Sequence, residues 1–156
     1  MEVVQLLLSR RANVDCKSSE YGTPLLTALE ACAAPTLRRL KSEAAKELVT
    51  ALYLPGAWPT FSYIIAAGDK LLDCEEIVRL LVKHGADVND DSRPFGPPLH
   101  LACLLGSKAM VELLLAKGAD LNATTSFFKK AIFAAIHGGH LDIVALLLKS
   151  TANQAN

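Results

Sequence analysis

The sequence predicts an all-α solenoid of stacked helix–turn–helix units, and three observations carry the prediction. One apolar pattern occurs four times, as Val3-Val4-Gln5-Leu6-Leu7-Leu8, Ile77-Val78-Arg79-Leu80-Leu81-Val82, Met110-Val111-Glu112-Leu113-Leu114-Leu115 and Ile143-Val144-Ala145-Leu146-Leu147-Leu148. Each copy is followed, four positions after its last member, by an alanine: Ala12, Ala86, Ala119 and Ala152. Val78, Val111 and Val144 are spaced by 33 residues, a period that signals stacked repeats.

The clearest unit is Pro98–Asn122. Pro98 suits the first turn of a helix, where its missing N–H costs nothing. Leu99, Ala102 and Cys103 share one apolar face, and Gly106 stops the segment. A second helix turns Met110, Val111, Leu113, Leu114 and Leu115 inward, and Gly118 supplies a left-handed stop. Neither helix can bury that much apolar surface alone, so neighbouring units must cover it. Gly96-Pro97-Pro98-Leu99-His100-Leu101-Ala102 and His137-Gly138-Gly139-His140-Leu141-Asp142-Ile143-Val144 resemble the ankyrin repeat, whose pattern is G-x-T-P-L-H-x-A followed by G-H-x-x-I-V-x-x-L-L-x-x-G-A-x-x-N. The resemblance covers essentially the whole chain and implies an ankyrin-repeat solenoid with short β-hairpin fingers.

In chain order, residues 1–15 form the second half of a repeat whose first helix is missing. Met1 is thus expected to start inside a longer array or to leave a poor cap. Residues 16–58 form a lengthened repeat: Thr23 caps a helix through its hydroxyl, Pro24 takes the first helical position, and Pro35 ends that helix. Leu37 to Tyr53 then resumes a helical pattern. Residues 59–89 form a short repeat without its finger, with Thr60 capping a helix that runs to Gly68. A competing reading, one repeat interrupted by a 41-residue insertion, fits the outer ends equally. Residues 90–122 are the regular repeat and 123–156 the last one, where Lys130-Ala131-Ile132-Phe133 replaces the usual entry motif. No capping repeat follows, so the array is expected to continue in a parent protein.

Composition narrows the function classes. Sixteen Lys and Arg balance sixteen Asp and Glu, so no long-range field recruits nucleic acid or an anionic membrane. No apolar run reaches the roughly 18 residues that a membrane helix needs, and the N-terminus lacks signal-peptide order. The expected setting is cytoplasmic or nuclear, with Cys16, Cys32, Cys74 and Cys103 reduced.

No catalytic, cofactor or metal constellation is found. Asp87, Asp90 and Asp91 lack calcium-loop spacing and read as solvated turn acids. Phosphate-loop, nucleophile-elbow and zincin motifs are absent. Cys103 reads as a packing residue rather than a nucleophile. The resemblance implies structural roles for His100 and His140, each tying backbone together by hydrogen bonds.

The resemblance also implies a binding surface on the hairpin tips and the inner face of the first helices. Carried over by position, it selects Tyr21, Phe95, Leu104, Leu105, Phe127, Phe128 and Lys130, with Arg93 on the rim expected to steer an acidic segment. The apolar members are expected to form one exposed patch holding a protein or peptide; alternatively, Phe127 or Phe128 folds inward to replace the missing entry motif. The predicted function is a non-enzymatic scaffold. The alternative is a structural or regulatory spacer of a larger protein. A monomer is expected, with association through the uncapped ends as a further route.

Overall fold

The computed structural model describes residues 2–18, 22–39, 72–92 and 95–154. Among them are seven helices: α1 Glu2–Ser9, α2 Pro24–Arg39, α3 Leu72–Lys83, α4 Pro98–Leu105, α5 Lys108–Ala116, α6 Ala131–Gly138 and α7 Leu141–Gln154. They pack in two layers. In one, α2, α4 and α6 lie side by side; in the other, α3 precedes α5 and α5 precedes α7. Between the layers, α2 lies against α3, α4 against α5 and α6 against α7.

Local chemistry sets each boundary. Pro24 and Pro98 open α2 and α4. The Thr23 hydroxyl accepts the Leu26 N–H at 3.5 Å, as the sequence implied. Ser107 caps α5 by accepting the Met110 N–H at 3.4 Å. Gly106, at φ 78°, closes α4 in the left-handed region that side chains disfavour.

Pro35 does not end its helix; α2 continues through it to Arg39. A proline removes one helical hydrogen bond. That loss is outweighed here because α2 packs on both α3 and α4, burying Leu25, Leu26, Leu29 and Cys32. α2 lies directly against both α3 and α4, and the division expected at residues 58 and 59 falls outside the described residues. The expected Thr60 helix and the second half of the lengthened repeat lie outside the described residues.

Two finger remnants survive as isolated bridges, Ser18 with Gly22 and Thr125 with Lys129. A repeated turn joins the units on the side of the second helices. Within it, Asp15 N–H donates to Asn13 Oδ1 (3.0 Å), Asn89 N–H to Asp87 Oδ1 (2.9 Å) and Asn122 N–H to Asp120 Oδ1 (2.8 Å). Between turns, Asp15 Oδ1 accepts the Asp87 N–H at 2.8 Å and Asn89 Oδ1 accepts the Asp120 N–H at 2.8 Å. The core follows the layers, from Leu8 through Leu25, Leu99 and Leu114 to Ile143 and Leu147. On α1, Leu6 and Leu7 remain exposed.

Candidate protein-binding surface

The aromatic residues selected from the sequence do come together. Phe95 and Phe127 lie 5.8 Å apart between ring centroids, Phe127 and Phe128 5.4 Å, and Phe128 meets His137 edge-on at 6.0 Å. The series joins the finger before α4 to the finger before α6 and then to α6 itself. Such tilted and edge-on arrangements suit the ring quadrupole.

The expected exposed patch, however, is largely interior. Phe95, Leu104 and Phe128 are buried, Leu104 with 0% of its surface accessible. Leu104 sits on the helix held between α2 and α6, and its carbonyl accepts the His140 Nε2–H at 3.2 Å. Phe128 is buried in the unit whose entry motif is missing. Its N–H donates to Thr125 Oγ1 at 2.9 Å, and Lys129 follows with φ 56°, turning the finger back. The inward alternative thus applies to Phe128. Phe127 and Leu105 are partly buried and still reach the surface, while Lys130 is exposed with its Nζ 3.4 Å from Asn122 Oδ1. Tyr21 and Arg93 lie outside the described residues.

The histidines are structural parts. His140 bonds across to Leu104, and its ring lies where a Cβ on Gly106 or Gly138 would collide with it. His100 is fully buried, with Nε2 3.5 Å from the Lys129 carbonyl. Burial pushes its imidazole below the ordinary value, against smaller opposing effects of nearby backbone. The ring therefore stays neutral, with Nε2–H as the donor. His84 Nδ1 donates to Leu80 O at 2.8 Å at the end of α3.

Asp90 departs from the solvated role expected of it. It is 3% exposed and accepts from Lys17 Nζ at 2.8 Å and from Ser92 Oγ at 2.8 Å. Burial alone would raise its carboxyl; hydrogen bonds from Lys17, Ser92 and Thr23 outweigh that and hold it below the ordinary carboxylate range. Its ion pair links positions 73 residues apart, a pairing no local pattern announces. The turn-to-turn bonds had a visible signal in the acid or amide recurring three positions after Ala12, Ala86 and Ala119.

Chemical reactivity is limited among the described residues. Burial pushes the Cys103 thiol up to about 12, so it stays protonated. No group of three His, Cys, Asp or Glu side chains among the described residues is placed to hold a metal ion. No described helix is long and apolar enough to cross a membrane.

No curated protein matches the chain. The family model of ankyrin repeats, in three copies, matches residues 59–125. Repeats of this family generally serve as protein–protein interaction modules and are typically non-enzymatic. The paired layers, the finger bridges and the 33-residue period agree with that match: residues 59–125 carry ankyrin repeats, and the described helices stack as an all-α ankyrin-repeat solenoid.

Proposed function

We propose that this chain is a non-enzymatic scaffold that takes a protein or peptide segment across the face formed by its fingers and first helices. The observation carrying the proposal is the ring series from Phe95 to His137. It holds the partly exposed Phe127 on two buried rings drawn from adjacent units. An aromatic side chain fixed in place before binding loses little further freedom and makes an effective anchor. Leu105 extends the apolar contact, and exposed Lys129 and Lys130 favour an acidic partner at the rim. Phe95, Leu104 and Phe128 act as supports in this reading rather than as contacts. The free thiols of Cys16 and Cys103 suit a reducing cytoplasmic or nuclear setting.

The test compares the chain with a Phe127→Ala, Leu105→Ser, Lys130→Glu variant whose fold is verified by circular dichroism. Proteins captured from lysate are identified by mass spectrometry, purified, and titrated against both. At least tenfold weaker binding by the folded variant supports the proposal, and equal binding refutes it. Capture of no partner by the parent chain favours the spacer role, with contacts made inside a larger protein.

A further inference from the structure

We propose that Ser92 is a phosphorylation site whose modification unlatches the finger before α2 from the finger before α4, independently of the binding function proposed above. The finger before α4 holds a carboxylate where the repeat pattern has none. Asp90 falls four positions after Ala86, and the equivalent positions after Ala12 and Ala119 are Cys16 and Ala123. The Asp90 side chain is 1% exposed. Among the described residues one ammonium balances it, Lys17 Nζ at 2.8 Å from Oδ1, on an arm that is 60% exposed and reaches over from the finger before α2. Oδ2 accepts the Ser92 hydroxyl at 2.8 Å, and Oδ1 also accepts the Ser92 N–H at 3.3 Å. Ser92 itself is exposed. Its counterpart in the last unit, Thr125, keeps its hydroxyl oxygen within its own finger by accepting the Phe128 N–H at 2.9 Å. Ser92 is thus an accessible hydroxyl joined directly to a buried charge.

The modification transfers the γ-phosphoryl group of a nucleoside triphosphate to Ser92 Oγ. The Oγ–P bond forms, the bond from phosphorus to the β,γ-bridging oxygen breaks to leave a nucleoside diphosphate, and the hydroxyl proton passes to the base of the transferring enzyme. Asp90 thereby loses the proton that Ser92 donated to it and gains a neighbour carrying about two negative charges on three oxygens. The exposed carboxylates of Asp87 and Asp91 already draw on the Lys17 ammonium. Phosphate now competes for the same ammonium from the solvent side, with more charge than a carboxylate. The buried Asp90 carboxylate is left without its cation, an arrangement that strongly destabilises a fold. Lys17 immediately precedes the Ser18–Gly22 bridge, so this finger loses its tie to the next. Asp90 and Asp91, directly before the acceptor, call for a serine kinase whose substrate cleft is basic on that side.

The test incubates the folded chain with magnesium ATP and an acid-directed serine/threonine kinase and maps the product by mass spectrometry. Phosphate is expected on Ser92. Hydrogen exchange at the Ser18 and Gly22 amides, which close the bridge of the finger before α2, then speeds about tenfold. The Thr125 and Lys129 amides of the last finger are unchanged and report an intact stack. In Asp90→Asn the same phosphate speeds Ser18 and Gly22 exchange less than about twofold, since no buried charge loses its partner. Absence of phosphate on Ser92, unchanged exchange in the phosphorylated parent chain, or equal acceleration in Asp90→Asn overturns the proposal. Equal acceleration at Thr125 and Lys129 also overturns it, because the phosphate then unfolds the stack rather than opening one seam.

Discussion

Leu104 and Leu105 are neighbours in sequence with the same side chain, and the structure assigns them opposite consequences. Leu104 is fully buried on a helix packed against α2 and α6. Leu105 is partly exposed at the end of α4. Truncating a fully buried leucine to alanine removes the transfer energy of the lost methyl groups and leaves a cavity, costing about 2–5 kcal/mol. Because α4 is held between two helices, the walls around Leu104 have little room to collapse, and a value of about 3 kcal/mol is expected. With a urea dependence of about 2 kcal/mol per molar, the midpoint falls by about 1.5 M. Leu105→Ala costs less than about 1 kcal/mol and acts on partner binding. Urea titrations followed by circular dichroism at 222 nm measure both. Equal destabilisation by the two substitutions, or a loss below about 1 kcal/mol for Leu104→Ala, refutes the assignment of Leu104 to the core.

Other outcomes test separate parts of the structure. His100 is held neutral in the fold, so the unfolded chain takes up its proton first as pH falls below about 6.5. Stability is full above that pH and declines beneath it; His100→Asn flattens the decline between pH 6.5 and 5 in pH-dependent melts. Asp90, held below its ordinary value, contributes stability above about pH 3.9 that is lost on further acidification. Asp90→Ala therefore removes an acid-limb loss that His100→Asn leaves in place. Gly118→Ala carries the left-handed backbone penalty of about 1–2 kcal/mol, with open space around the new Cβ. Gly106→Ala adds a collision with the His140 ring and is expected to lower the melting temperature clearly more. In thiol alkylation at pH 8, exposed Cys16 is modified in the native protein, whereas Cys103 reacts only in denaturant.

The sequence carried the helix units because their signals are local and repeated. Proline at helix starts, glycine at left-handed stops and the period of 33 identified α4 to α7, while the resemblance to the ankyrin repeat implied the histidine cross-ties. Burial of the candidate contacts was less legible. Phe95, Leu104 and Phe128 fall at finger and first-helix positions expected to face solvent, but here each is buried, Phe128 in the unit that lacks the threonine–proline entry. Such compensation depends on shape between units and leaves no periodic trace. Pro35 misled for a related reason, since packing on two neighbours outweighs one absent hydrogen bond. Lys17 and Asp90 meet only because the stack brings α2 beside α4, so their pairing became visible with the fold.

The pairing of α2 with α3 has a consequence for the order in which the molecule assembles. The helices of the α4–α5 and α6–α7 units are separated by Gly106-Ser107 and Gly139-His140, two residues each, whereas 32 residues separate α2 from α3. In the unfolded chain each doubling of a connection adds about 0.6 kcal/mol to the cost of closing it, so four doublings add about 2.4 kcal/mol. Nucleation is thus biased toward the C-terminal half, and the completed α4 surface then serves as the template on which α2 and α3 find each other. The Lys17–Asp90 pair spans the seam closed last, so weakening it is expected to slow the final folding phase while leaving assembly of α4 to α7 unaffected.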